Sequence, residues 1–183
     1  MSNKIILASK SKIRAEILKN YGFNFDIAPS NIDEEEVKES MLNQNASPLS
    51  ISKNLAELKA NKISQQYPEK IVLGVDSVID LSGKLINKPK SREEALKILI
   101  DLNGKEHHLI SSICISRGGL MIWHYSGKSL LKMRNLQQIE LENYLSKIDD
   151  VTLKNYGVYQ IEAGGEFLFE RIEGDRENIM GLP

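Results

Sequence analysis

The chain has 183 residues, 41% hydrophobic and 27% charged, the ordinary balance of a single globular domain spanning 1–183 with room for a small lobe. Lys and Arg number 24 against 25 Asp and Glu, a formal charge of −1, which argues against a general nucleic-acid binder and leaves open a local basic pocket for a small anion. One cysteine, Cys114, excludes an internal disulfide and a cysteine-built zinc site. No stretch approaches the ~18 apolar residues of a membrane helix, and the apolar run at 5–8 is too short for a signal-peptide core. The expectation is a cytoplasmic protein with no nucleic-acid or membrane partner.

In chain order, residues 4–8 predict a short buried strand, followed by a turn into a helix with Ile13, Ile17, Leu18 and Tyr21 at helical spacing and a stop at Gly22. Residues 23–28 alternate as a second strand. Residues 29–32 make a turn, and the acidic run 33–36 behind it reads as a solvated charged loop. Ser47 and Pro48 open a helix with the apolar stripe Leu55, Leu58 and Ile63. Residues 71–79 form the most apolar strand, and Ser82 with Gly83 a hairpin turn. Ser91 and Glu94 suggest a capping box for a helix that ends at Gly104. Residues 108–116 predict a strand, with 121–125 and 129–134 as two partner strands in which Trp123 and Tyr125 pack. A helix over 138–147 is followed by strands at 157–161 and 167–172, separated by Gly164 and Gly165. Alternating strands and helices give a mixed α/β fold.

Four places could carry chemistry. The strand-to-helix turn at 7–14 puts Ser9 and Ser11 beside Lys10, Lys12 and Arg14. A helix N-terminus there can hold a phosphate, and the alternative is a serine cap with solvated lysines. Asp76 lies inside an apolar strand, where a carboxylate is expensive unless paired, protonated or bound to a metal. A carboxylate of the acidic run could share a metal with it, since magnesium takes one or two carboxylates plus substrate phosphates. Glu162, before two glycines, could accept N–H groups from a base edge, or sit in an ordinary hairpin. Lys59, Lys88, and the pair His107 and His108 read individually as surface or structural residues. Cys114 reads as a buried inert thiol.

Taken together, the stretches LASKSKIRAEIL (7–18), NIDE (31–34), LAELKA (55–60), LGVDSVI (73–79), NKP (87–89), LNGKEHHLISS (102–112), YGVYQIEAGG (156–165) and FERIEGDRENIMGLP (169–183) resemble the Maf-like nucleoside triphosphate pyrophosphatases. The resemblance implies an α/β fold with an elongated, strongly twisted mixed sheet, helices on both sides and a cleft between two lobes. It implies hydrolysis of a nucleoside triphosphate to the monophosphate and pyrophosphate, with a divalent cation, Mg2+ or Mn2+. A house-cleaning role, a link to cell division and a homodimer come with it. The rival reading, consistent with Ile13 and the short C-terminus, is a nucleotide-binding or septum-regulating protein without turnover.

Carried over by position, Asp76 matches the general base and, with Glu34, the metal ligands. Ser9, Ser11, Arg14, Ser77, Lys59 and Lys88 match substrate-binding positions. The departures are Ile13 in place of an arginine, Ser77 in place of a threonine, and Glu162 in place of the glutamine of the dTTP/UTP branch. Ile13, Glu162 and the FERIEGDREN stretch resemble the 7-methyl-GTP branch, although Ser77 does not. A carboxylate suits the N1–H and exocyclic amine of a guanine edge, so the expected substrate is a modified purine triphosphate. The resemblance also implies a helix beyond Gly181, Leu182 and Pro183, where this sequence ends.

Overall fold

The computed structural model describes residues 4–183, apart from the side chain of Glu162. The strands are β1 (Ile5–Leu7), β2 (Phe25–Ile27), β3 (Val72–Leu81), β4 (Lys84–Ile86), β5 (Glu106–Arg117), β6 (Leu120–Met133) and β7 (Phe169–Glu173). They make one seven-stranded sheet in the order β2-β1-β3-β5-β6-β7, with β4 also on β3. The pairs β1–β2 and β1–β3 are parallel and all others antiparallel, so the sheet is mixed, as expected. The helices are α1 (Lys12–Asn20), α2 (Glu34–Asn43), α3 (Pro48–Gln66), α4 (Arg92–Leu102), α5 (Gln138–Leu145), α6 (Asp150–Tyr156) and α7 (Arg176–Ile179). None of the described helices is long and apolar enough to cross a membrane.

β3 is mostly apolar, with Asp76, Ser77 and Asp80 as its polar residues, because both its faces are covered. Leu73 and Val75 pack with Leu7, Ile17 and Leu18 around α1. The alternate residues turn to α3, where Val78 meets Ile51 and Leu55 and Val72 meets Ile63. Gly74 lets that helix come close. A Cβ at Gly74 would lie 2.2 Å from the Ala56 carbonyl oxygen and 2.6 Å from the Ala60 nitrogen. A second core joins Ala95, Leu99 and Leu102 of α4 to Leu131, Met133, Leu141 and Tyr144, forming the other lobe.

Several expectations are corrected. The acidic run is the start of α2: Asp33 caps it through Glu36 N–H at 3.0 Å, and Glu34, Glu35 and Glu36 occupy its first turn, where carboxylates favour the helix dipole. The two strands expected at 121–125 and 129–134 are one strand, β6, running through Gly127. A side chain at Gly127 would strike the Asn178 side chain at 2.4 Å. Trp123 and Tyr125 do not pack in the core; they stack on each other with ring centroids 6.3 Å apart and are about half exposed. Residues 157–161 form no ladder, and two 3-10 turns, Ile161–Ala163 and Gly165–Leu168, follow. The capping box at α4 is half made: Ser91 Oγ accepts from Glu94 N–H, but the Glu94 carboxylate accepts from Lys90 N–H at 2.7 Å.

Replacing Gly74 by Ala forces α3 away from β3. Urea denaturation is expected to show a loss of about 3 kcal/mol, with Lys59 and Asp76 drawn apart in the surviving fold.

Candidate active site

The site opens where β3 loses a neighbour. On one edge β3 pairs with β1 only as far as Leu73, and with β4 only from Ile79 onward. Between them, residues 74–78 have strand partners on β5 alone. On the open edge Val75 O accepts from Arg14 Nη1 at 3.2 Å and lies 3.5 Å from Lys59 Nζ, while Asp76 O, turned toward β5, also accepts from Ser52 Oγ at 3.2 Å. A cleft of about 530 Å³ opens at this gap. Ser9, Ser11, Ile13, Arg14, Glu34, Lys59, Asp76, Ser77 and Lys88 all line it, so the fold gathers nine of the sequence-predicted site residues into one cavity.

Alternation along β3 sends Asp76 and Ser77 to opposite faces. Asp76 is 3% exposed and faces α3. Its Oδ1 accepts from Lys59 Nζ at 2.8 Å. The same ammonium lies 2.9 Å from Glu34 Oε1. Lys59 therefore bridges the two carboxylates predicted to act together, and removing it would leave buried charge uncompensated, a cost of about 3–5 kcal/mol. Asp76 Oδ2 is buried and has no partner. Burial pushes the Glu34 carboxyl up, but the charge and hydrogen bond of Lys59, helped by Lys38 and Lys88, bring it below its ordinary value.

On the other face, Arg14 is a strut. Its Nε donates to Gly181 O at 2.8 Å, Nη1 to Ser9 Oγ and Val75 O at 3.2 Å each, and Nη2 to Ser77 Oγ at 3.0 Å. Ser77 Oγ is 2.8 Å from Ser111 Oγ, which donates to Asn178 O at 2.9 Å. Burial lowers the Arg14 guanidinium's pKa, and the negative charges of Asp76 and Glu34 offset part of that fall. Ser11 caps α1 through Arg14 N–H, and Ser9 Oγ accepts from Ser11 N–H at 3.2 Å. Lys88 is exposed on the opposite wall; desolvation lowers its pKa, Glu34 raises it, and Lys38 and Arg14 lower it again.

The sequence reading missed Lys38, which lines the cleft from α2. Its signal, a lysine one turn after Glu34 on the same helix face, was hidden by taking that segment as a loop. Asn178 was missed too: Nδ2 donates to Ser129 Oγ at 2.7 Å and its carbonyl anchors Ser111. The cleft's far end is formed by residues 155–161. The Glu162 side chain, expected there as a base reader, lies outside the described residues. Gly165 is small for its own backbone, since a Cβ would lie 2.4 Å from Gln160 O.

No group of three or more His, Cys, Asp or Glu side chains gathers among the described residues. Asp76 with its orphan oxygen, and Glu34, do fit magnesium or manganese, which are held by one or two carboxylates when phosphates and water complete the shell.

The family model for Maf-like protein matches residues 4–183. The chain belongs to the Maf-like family. Among Maf-like relatives it is 61% identical to the nucleoside triphosphate pyrophosphatase of Pelagibacter ubique (strain HTCC1062), over all of this chain and 94% of that protein. It is 39% identical to the nucleoside triphosphate pyrophosphatase of Ruegeria pomeroyi, over all of this chain and 92% of that one. It is also 39% identical to the 7-methyl-GTP pyrophosphatase of Bartonella henselae, over all of this chain and 91% of that one. The solved structure of the Staphylococcus aureus Ham1 protein aligns at a TM-score of 0.48 and 15% identity, over 72% of each chain.

Tyr159, in the cleft wall, is held by a buried histidine. His107 Nε2 lies 2.8 Å from Tyr159 Oη, and His107 is 1% exposed. Burial, with His108 beside it, lowers the His107 pKa from 6.5 to about 4, and burial pushes Tyr159 up. Between those two pH values the unfolded chain takes up a proton that the folded one refuses. Stability should therefore fall as pH drops from 6.5 toward 4, by up to about 3 kcal/mol. Urea midpoints measured across that range should flatten in His107→Gln, which cannot titrate.

Proposed function

We propose that this chain hydrolyses a nucleoside triphosphate between the α- and β-phosphates, releasing the monophosphate and pyrophosphate. The observation that carries the reading is Asp76, buried beside a cation-lined cleft with one oxygen held by Lys59 and the other unpartnered. That second oxygen is the site for a proton. A water oxygen attacks the α-phosphorus, its proton passes to Asp76 Oδ2, and the bond from the α-phosphorus to the bridging oxygen breaks. Pyrophosphate leaves with that bond's electron pair.

Charge builds on the departing pyrophosphate, and Lys38, Lys59 and Lys88 line the cleft to offset it. Arg14 acts first on the protein: it fixes Ser9, whose hydroxyl hydrogen is free to meet a phosphate oxygen, and Ser77, whose own hydrogen goes to Ser111. A divalent cation held by Asp76 and Glu34 would supply further charge neutralisation to the triphosphate. The nucleoside lies toward residues 155–161. Glu162, next in the chain, suits a guanine edge, so the preferred substrate is a methylated or otherwise modified purine triphosphate. Clearing it from the nucleotide pool of the cytoplasm is the role such a reaction serves.

For the homodimer, the surface we assign is the exposed stretch of β6 with Leu120, Ile122, Trp123 and Tyr125. It carries no acidic or basic residue between Arg117 and Lys128 apart from His124, so two copies can meet there with little charge repulsion.

Pyrophosphate release from a panel of normal and modified triphosphates, with Mg2+ present, tests the reaction. Asp76→Asn should fall by roughly 10²–10⁴-fold, the usual share of a general base, and still bind nucleotide. Wild-type protein that binds but releases nothing would establish the non-catalytic regulator instead. In the same panel, Glu162→Gln should move preference toward pyrimidines; an unchanged ranking removes Glu162 from base selection.

A further inference from the structure

Lys59 sits where a cation is most stable. Its ammonium is 2.8 Å from Asp76 Oδ1 and 2.9 Å from Glu34 Oε1, with Val75 O at 3.5 Å. Three donors therefore face three acceptors, and the side chain is only 8% exposed. These are the same two carboxylates that fit a divalent cation. The ammonium cancels half of their joint charge and occupies the space between them, so a dication approaching the empty cleft meets that positive charge first.

Lys59 has no better place to go in the empty cleft. The walls it could swing toward carry Lys38, Lys88 and Arg14. A triphosphate changes this by bringing several negative oxygens among those cations. The four-carbon stem of Lys59 then lets the ammonium turn from carboxylate to phosphate without leaving the cleft. Asp76 Oδ1 and Glu34 Oε1 are freed for the cation at that moment, while the unpartnered Asp76 Oδ2 stays open for the proton of the attacking water.

We propose that Lys59 is a resident counter-ion of the Asp76–Glu34 pair, holding the cation's place until a triphosphate draws it away. Nucleotide and divalent cation thus bind cooperatively, each raising the affinity for the other. This rests on the assignment of Asp76 and Glu34 as cation ligands in the proposed reaction. It adds that Lys59 sets the order of events, so that the free protein takes up little metal.

Mn2+ binding to the folded, nucleotide-free protein is the test, followed by the electron paramagnetic resonance of free Mn2+. Lys59→Met should bind Mn2+ at least about tenfold more tightly than wild type, within the usual range of coupling between sites. Lys59→Arg, which keeps the charge and adds a two-pronged grip on carboxylates, should bind no more tightly than wild type. Adding Glu34→Gln to Lys59→Met should abolish the gain. Should Lys59→Met fail to fold, the wild-type chain gives a second readout. The 15N signal of the Lys59 ammonium, identified by its loss in Lys59→Arg, should shift when a non-hydrolysable α,β-methylene triphosphate is added without metal.

Equal Mn2+ affinity in wild type and Lys59→Met, or an ammonium signal unmoved by the analogue, overturns the counter-ion role even if wild type releases pyrophosphate normally. A gain in Lys59→Met that survives Glu34→Gln overturns it by removing Glu34 from the cation's ligands. Absence of pyrophosphate release from wild type is a separate result and refutes the reaction.

Discussion

A carboxylate can stay in the middle of this sheet because a lysine from the helix laid across it comes within hydrogen-bond reach. That contact is built from small residues. Gly74 lies two positions before Asp76 on the same face of β3, and Ala56 and Ala60 of α3 press against it. Together they bring the helix close enough for Lys59 to meet Asp76 at 2.8 Å. The lysine then reaches on to Glu34, at the start of α2, so one ammonium links a strand and two helices. A larger residue at position 74 would weaken this chemistry without touching any reacting atom.

The opposite face of β3 is organised by neutral hydroxyls. Ser77, Ser111 and Asn178 form a chain of hydrogen bonds through the sheet to α7. Arg14 ties that chain to Ser9 and to the carbonyl of Gly181. The phosphate end of the cleft is thereby braced by residues far apart in sequence. Arg14 serves this frame with four of its N–H groups, one from Nε, two from Nη1 and one from Nη2, which leaves the cleft lysines, Lys10, Lys38, Lys59 and Lys88, as the mobile cations.

Much of this was legible in the sequence. Asp76 stood out because a charge interrupts an apolar run. Ser47 and Pro48 announced α3, and Ser11 marked the start of α1. What escaped notice depends on partners distant in sequence. The start of α2 looked like solvated charge because its apolar residues, Val37 and Met41, are only partly buried against Ile51 and its neighbours. Residues 126–128 fall between two predicted strands, yet Gly127 among them is the space into which Asn178 fits. The bridging role of Lys59 could not be seen from LAELKA alone, since it needs the register of α3 on β3 and the position of α2.

The interrupted ladder along β3 has a consequence beyond catalysis. Unpaired carbonyls on a strand normally invite another chain to add itself, the first step of misassociation. Here Arg14 and Lys59 occupy the Val75 carbonyl on the open edge, so side chains of the cleft also guard the sheet against unwanted growth. Removing either side chain would therefore disturb the cleft and bare a hydrogen-bonding group on the strand in one stroke.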